Sequence, residues 1–211
     1  MGNIERLKYP LSTADFERIR TDGYLYVDKT DYVHTLVSSG IFYFLSRPRR
    51  FGKSLLLSTL EAYFLGKRHL FKGLALDRLQ PGEWNTYPVL RLNLSGKRYA
   101  DENSLLSELD MHLERWEKIY GITEPRKDVD ERFEIVIQAV AAVTGKKVVV
   151  LVDEYDSPLS DSIGNQKLQD HYRDQLHGFY SVLKKTEEHV QFCMLTGVTK
   201  FGKVSVFSGL N

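Results

Sequence analysis

Apolar and polar positions along this chain switch between short solid runs and helical spacing. The runs 41–45 (IFYFL), 148–152 (VVVLV) and 190–195 (VQFCML) are strand-length and apolar enough to be buried on both faces, as in a parallel sheet. The stretch 89–94 (VLRLNL) alternates and reads as a further strand after the Tyr87-Pro88 step, which holds the backbone extended. Between these runs the period changes. Leu56, Leu57, Leu60, Tyr63 and Phe64 predict a helix over 54–64 that Gly66 ends. Leu105, Leu106, Leu109, Leu113, Trp116 and Tyr120 form one broad stripe over 103–120, and Leu168, Tyr172, Leu176, Phe179 and Leu183 form another over 166–185. Phe133, Val136, Ile137 and Val140 continue the charged connection and helix start 125–132 as a helix stopped at Gly145. Strands that alternate with helices in this way predict an α/β domain.

The flanks are less regular. Thr13 is the expected N-cap of a short helix over 15–20 that stops at Gly23. The stretch 24–27 predicts a short strand, and Asp28-Lys29-Thr30 the start of a helix carrying Tyr32, Val33, Leu36 and Val37. Residues 67–82 predict a loop with one short helix, and 204–207 a last strand or hairpin. Residues 1–40 thus read as a preamble to the first sheet strand.

Composition narrows the function without naming it. The 211 residues are 42% hydrophobic and 27% charged with a formal net charge of +1, which fits a globular domain and gives no global basic footprint for nucleic acid. One cysteine, Cys193, excludes an internal disulfide, fits a reducing compartment and reads as a small buried hydrophobe. The six histidines are scattered, and His171 and His177 fall on different helix faces, which disfavours a metal site built from them. With no signal peptide and no apolar run approaching membrane length, the expected location is cytoplasmic.

Chemistry enters where the run 41–45 stops at a polar segment and Gly52-Lys53-Ser54 opens the leucine-rich helix. A helix start presents backbone N–H groups without intrahelical partners and a partial positive charge, so strand, loop and helix start in this order suit a phosphate-binding loop. Lys53 would reach the β- and γ-oxygens of a triphosphate and the Ser54 hydroxyl would ligate magnesium. Gly52 suits a turn that a Cβ would penalise. The general pattern carries a glycine five residues earlier, where this chain has Arg47, and Pro48 has no N–H to give. The cradle therefore draws on the amides of Arg49, Arg50, Phe51, Gly52, Lys53 and Ser54, with Arg49 and Arg50 adding charge. Gly-Lys-Ser alone equally describes a basic turn. A second segment, KVVVLVDEYD at 147–156, ends a buried strand in Asp153 and Glu154. If its strand and the strand 41–45 are parallel neighbours, Asp153 would hold the magnesium shell and Glu154 would deprotonate an attacking water. Thr196, at the end of the run 190–195, offers a hydroxyl to sense the γ-phosphate or that water, or serves as a neutral cap. Tyr24, Tyr26 and Tyr32 are candidates for stacking on the base, or simply fill core.

The segments YLYVDKT (24–30), YFLSRPRRFGKSLLLSTLEAYFLG (43–66), LFKGLAL (70–76), YPVLRLNLS (87–95), VLVDEYDSPL (150–159) and LTGVTKFGKVSVFSGLN (195–211) closely resemble the bacterial AAA-ATPase-like family over essentially the whole chain. RPRRFGKS is itself typical of that family, so the resemblance accounts for Arg47. It implies a single three-layer P-loop NTPase domain over 1–211, of the ASCE or AAA-like group with an additional catalytic acid. ATP and Mg2+ would be its ligands, with Lys53, Ser54, Asp153, Glu154 and Thr196 in the roles given above. Members usually continue past a segment like SGLN and often end in a PD-(D/E)xK nuclease-like domain. The chain is therefore expected to be the N-terminal part of a longer protein, and a nucleic-acid partner is implied by analogy alone.

Two functions compete. The first is Mg-dependent ATP hydrolysis coupled to an attached partner or domain, favoured by the paired acids. The second is a non-hydrolysing nucleotide-binding switch or scaffold module that could regulate a nuclease domain, left open by Arg47 and by the lack of an assignable arginine finger. A small-molecule kinase is disfavoured because the sequence marks no second substrate pocket. A GTPase is disfavoured because Thr199-Lys200 is followed by Phe201-Gly202 rather than by a guanine-reading motif.

Overall fold

The computed structural model describes residues 8–11, 13–123 and 128–199. The expected strand or hairpin at 204–207 lies outside the described residues, as do parts of the connection 125–132 and of the segment 195–211. Four parallel strands, β1 (Phe42–Ser46), β2 (Val89–Asn93), β3 (Val148–Asp153) and β4 (Val190–Gly197), form one sheet in the order β1-β4-β3-β2. The expectation that the strand before the phosphate loop and the strand bearing the two acids are neighbours is corrected here, because β4 lies between them. Apolar periodicity identifies strands but carries no information on which strand sits beside which.

Helices cover both faces. One face buries Leu90, Leu92, Val148, Val150, Val152, Cys193 and Leu195 against α5 (Ser104–Tyr120), α6 (Val129–Thr144) and α8 (Gln166–Lys185). The other buries Val149, Leu151, Phe192 and Met194 against α1 (Phe16–Thr21), α2 (Thr30–Ser39), α3 (Lys53–Phe64) and α4 (Ala75–Leu79). This is a three-layer α/β/α arrangement, the P-loop NTPase-like architecture. Central β3 is buried at all six positions, as its solid apolar run requires, whereas β2 buries only Leu90 and Leu92. Cys193 is fully buried, which pushes its thiol pKa up and makes it inert packing. No described helix is long and apolar enough to cross a membrane.

Several local expectations change. Asp15, not Thr13, caps α1: its carboxylate accepts the Arg18 N–H at 3.2 Å, while Thr13 accepts the N–H of Asp15. Two good capping residues stand two positions apart, and the carboxylate takes the helix end. The stretch 24–27 is not a strand; Tyr24 makes one parallel bridge with Lys8, and the following residues run irregularly to α2. Asp28 accepts from the N–H and hydroxyl of Thr30, a capping role. The loop 67–82 holds a 3-10 turn at Arg68–Phe71 as well as α4. The short helix α7 (Ser157–Asp161) follows the acids directly.

Candidate functional site

The four strands end nearly level. Ser46 stands opposite Gly197, and Asn93 opposite Asp153, so the C-terminal edge of the sheet carries Ser46, Gly197, Asp153 and Asn93 in a row. The connection after β1 enters α3 on one face, while that after β2 enters α5 on the other, which opens a crevice at this edge.

Helix α3 begins at Lys53 behind Gly52, whose φ of 78° is left-handed; no side chain caps its first turn. Those N–H groups and the helix dipole, worth about half a positive charge, are thus free of a side-chain cap among the described residues, and Ser54 of this first turn lines the crevice. Before them the loop turns through Arg50, also left-handed at φ 68°, with Arg49, Arg50 and Phe51 exposed. Lys53 is 5% exposed, and its ammonium donates to the carbonyls of Arg47 (3.0 Å) and Pro48 (3.2 Å). The lysine spans the loop and holds it in shape.

Across the crevice, Asp153 is buried and its Oδ1 accepts the Thr196 hydroxyl at 2.8 Å. Thr196 itself is fully buried, so its hydroxyl orients the carboxylate. Ser54 and Asp153 line one polar cavity of about 510 Å³, together with Asn93, Ser95 and Ser58. Two ion pairs, Arg91 with Glu61 and Lys67 with Glu17, form its far walls. Glu154 takes a left-handed φ of 51°, a conformation costing a side-chain-bearing residue of order 1–3 kcal/mol. Its carboxylate accepts the Ser157 hydroxyl at 3.3 Å.

A second, mostly apolar cavity of about 470 Å³ opens on the other side of the loop. Tyr26, Tyr32, Phe51 and Gly52 line it; Tyr24 does not, being held in its bridge with Lys8. Sequence reasoning missed Asn93, Arg91 and Asp156. A polar residue ending a strand beside another strand's acid is the signal that Asn93 offered, but its partner strand was unknown.

A family model for AAA-ATPase-like proteins, described as "Predicted AAA-ATPase", matches residues 10–207. This chain belongs to that AAA-ATPase-like family. A relative in Azotobacter chroococcum mcd 1, named "Uncharacterized protein in vnfD 5'region", is 43% identical over 211 residues, covering 99% of this chain and 40% of that protein. The AAA-ATPase-like chain thus spans well under half the length of the relative it matches. Family membership points to nucleotide binding in coarse terms. The residues would fit a magnesium ion: Ser54 and Asp153 would supply one hydroxyl and one carboxylate, and Mg2+ habitually takes its remaining ligands from phosphates and water. Among the described residues no cluster of three His, Cys, Asp or Glu forms a self-sufficient metal site.

Proposed function

We propose that this chain binds ATP with magnesium and hydrolyses it, with the phosphates on the start of α3. The observation that carries this reading is the shared cavity of Ser54 and Asp153, residues from segments about a hundred positions apart. The free amides of the first turn of α3 would cradle the phosphates, and Lys53 would exchange its loop carbonyls for phosphate oxygens. Ser54 and Asp153 would hold magnesium, which supplies charge neutralisation at the phosphate oxygens. Thr196 keeps the Asp153 carboxylate turned toward the cavity. Glu154 would take the proton of the attacking water after leaving Ser157. The base would lie in the apolar cavity against Tyr26, Tyr32 and Phe51, where aromatic faces favour stacking.

A second reading draws on the Glu154–Ser157 contact: with that acid engaged, the chain is a nucleotide switch that hydrolyses slowly until a partner frees it. Measured ATP binding and turnover separate the two. Lys53→Ala abolishes nucleotide binding or turnover if the loop assignment is right; unchanged affinity and rate remove it. Glu154→Gln keeps binding and lowers turnover by on the order of 10²-fold or more, the range for losing a general base. A wild type that binds ATP without hydrolysing it, with or without added partner, selects the switch.

A further inference from the structure

The acid turn is anchored by its fourth residue. Asp156 is 2% exposed, and its carboxylate accepts the N–H of Val198 (3.0 Å), the N–H of Thr199 (2.6 Å) and the Thr199 hydroxyl (2.7 Å). Beside it, fully buried Tyr155 donates its hydroxyl to the Thr199 carbonyl at 2.9 Å and its N–H to the Thr196 carbonyl at 3.0 Å. The chain leaving β4 is thus clamped to residues 155 and 156.

The same chain is held from the opposite side. Arg47 donates its N–H to the Gly197 carbonyl at 3.1 Å, and the Ser46 hydroxyl donates to the Val198 carbonyl at 3.1 Å. Lys53 in turn holds the Arg47 and Pro48 carbonyls. An unbroken series of hydrogen bonds therefore runs from Lys53 through the start of the phosphate loop and residues 197–199 to Asp156, two positions from Glu154.

A carboxylate with three donors is well suited to this junction. Bonds to a charged acceptor are roughly twice as strong as neutral ones, and all three donors converge on one oxygen, Oδ2, with the Val198 N–H also 3.2 Å from Oδ1. The Glu154 backbone needs such an anchor, because its left-handed φ persists only where the surroundings over-determine it.

We propose that Asp156 is a positioning residue for turnover: by locking the exit of β4 onto the acid turn it fixes Glu154 and ties that acid to the state of the phosphate loop. This rests on the ATPase reading above and adds a role for a residue that touches neither nucleotide nor metal.

The test compares turnover and nucleotide affinity for Asp156→Asn alone and combined with Glu154→Gln. An asparagine can still place one oxygen among these donors but loses the charge that strengthens the bonds, and its N–H₂ then faces the Val198 N–H, so the anchor weakens with little change in volume. Misplacing a catalytic group by about 1 Å can cost up to 10²-fold. We expect Asp156→Asn to lower turnover on the order of 10-fold, with ATP affinity changed less than about twofold, and to cause no further loss when Glu154 is already glutamine. Thr199→Val, which removes only the hydroxyl and keeps the charge, gives a smaller loss in the same direction and serves if Asp156→Asn does not fold. Equal fold-losses in both Glu154 backgrounds, or lost affinity with turnover per bound enzyme intact, overturn the proposal. Normal turnover in Asp156→Asn and Thr199→Val overturns it while leaving the ATPase reading standing. A wild type with no nucleotide binding sensitive to Lys53→Ala removes both.

Discussion

Gly197 gives the sharpest quantitative handle on the site. A Cβ added there would lie 2.6 Å from Asp156 Oδ1 and 2.6 Å from Tyr155 Cδ1, and closer still to Tyr155 Cε1, against 3.4–4 Å for ordinary contact. Neither side can give way cheaply. The strand cannot retreat, since Gly197 is paired to Ser46 and its carbonyl accepts from Arg47. The Tyr155 ring is fully buried and packs edge-on against Phe44 at 5.1 Å. Gly197→Ala must therefore displace the ring and the Asp156 carboxylate together. Overpacking costs about 1–3 kcal/mol. Weakening the Tyr155 hydroxyl bond adds about 1 kcal/mol, and disturbing a bond to a charged carboxylate about 1.5 kcal/mol or more. The expected destabilisation is about 3.5–5.5 kcal/mol, a large fraction of the roughly 5–15 kcal/mol that holds a domain folded. Urea denaturation reads it directly: with a slope of about 2 kcal/mol/M, the midpoint falls by about 2 M at unchanged slope. A midpoint shift below about 0.5 M together with normal turnover would show that the ring and turn reseat freely, and would refute the close-packing argument.

Two further variants probe neighbouring groups. Thr196→Val keeps the shape of a buried residue but removes the donor to Asp153; stability should fall by about 1–2 kcal/mol, with magnesium dependence of turnover shifted to higher concentration, and unchanged values of both would mean the hydroxyl does not orient the acid. Asp130 has its pKa raised by burial and by Asp128, and its Oδ1 is buried without a hydrogen-bond partner. The folded state holds that proton more tightly than the unfolded chain, so wild-type stability falls as pH rises from the ordinary aspartate value of 3.8 through the raised one. Asp130→Asn should remove that part of the pH dependence and stabilise the chain at pH 7 by about 0.5 kcal/mol, a modest figure because the carboxyl is only half-buried and solvent screens it; denaturation at pH 4 and pH 7 checks it, and a stability loss at pH 7 would contradict the assignment.

What the sequence makes legible follows from the range of the physics involved. Solid apolar runs locate β1, β3 and β4, and the i, i+4 stripe of 166–185 matches α8 (Gln166–Lys185) residue for residue, because these signals are local. The strand 24–27 fails for the complementary reason: its aromatic pattern is local, but a strand needs a partner, and among the described residues only Lys8 pairs with Tyr24. Asp156 and Asn93 stand in plain view in the sequence, yet what they do depends on residues 198–199 and 153, which only the fold brings alongside.

Strand order is the most consequential of these long-range facts. Adjacent strands lie about 4.8 Å apart, so direct neighbours would bring the loop after β1 nearly onto the acids. With β4 interposed, β1 and β3 are separated by two spacings, about 9.6 Å, and Ser54, in the helix that follows β1, shares a cavity with Asp153 at the end of β3. Between them β4 ends at Gly197, where any Cβ would collide with Tyr155 and Asp156. One position earlier, Thr196 reaches across to Asp153. The interposed strand thus acts as a spacer, and its Thr196 sets the direction of the acid. Its identity as a spacer explains why two segments that are not neighbours in the sheet can still line one cavity.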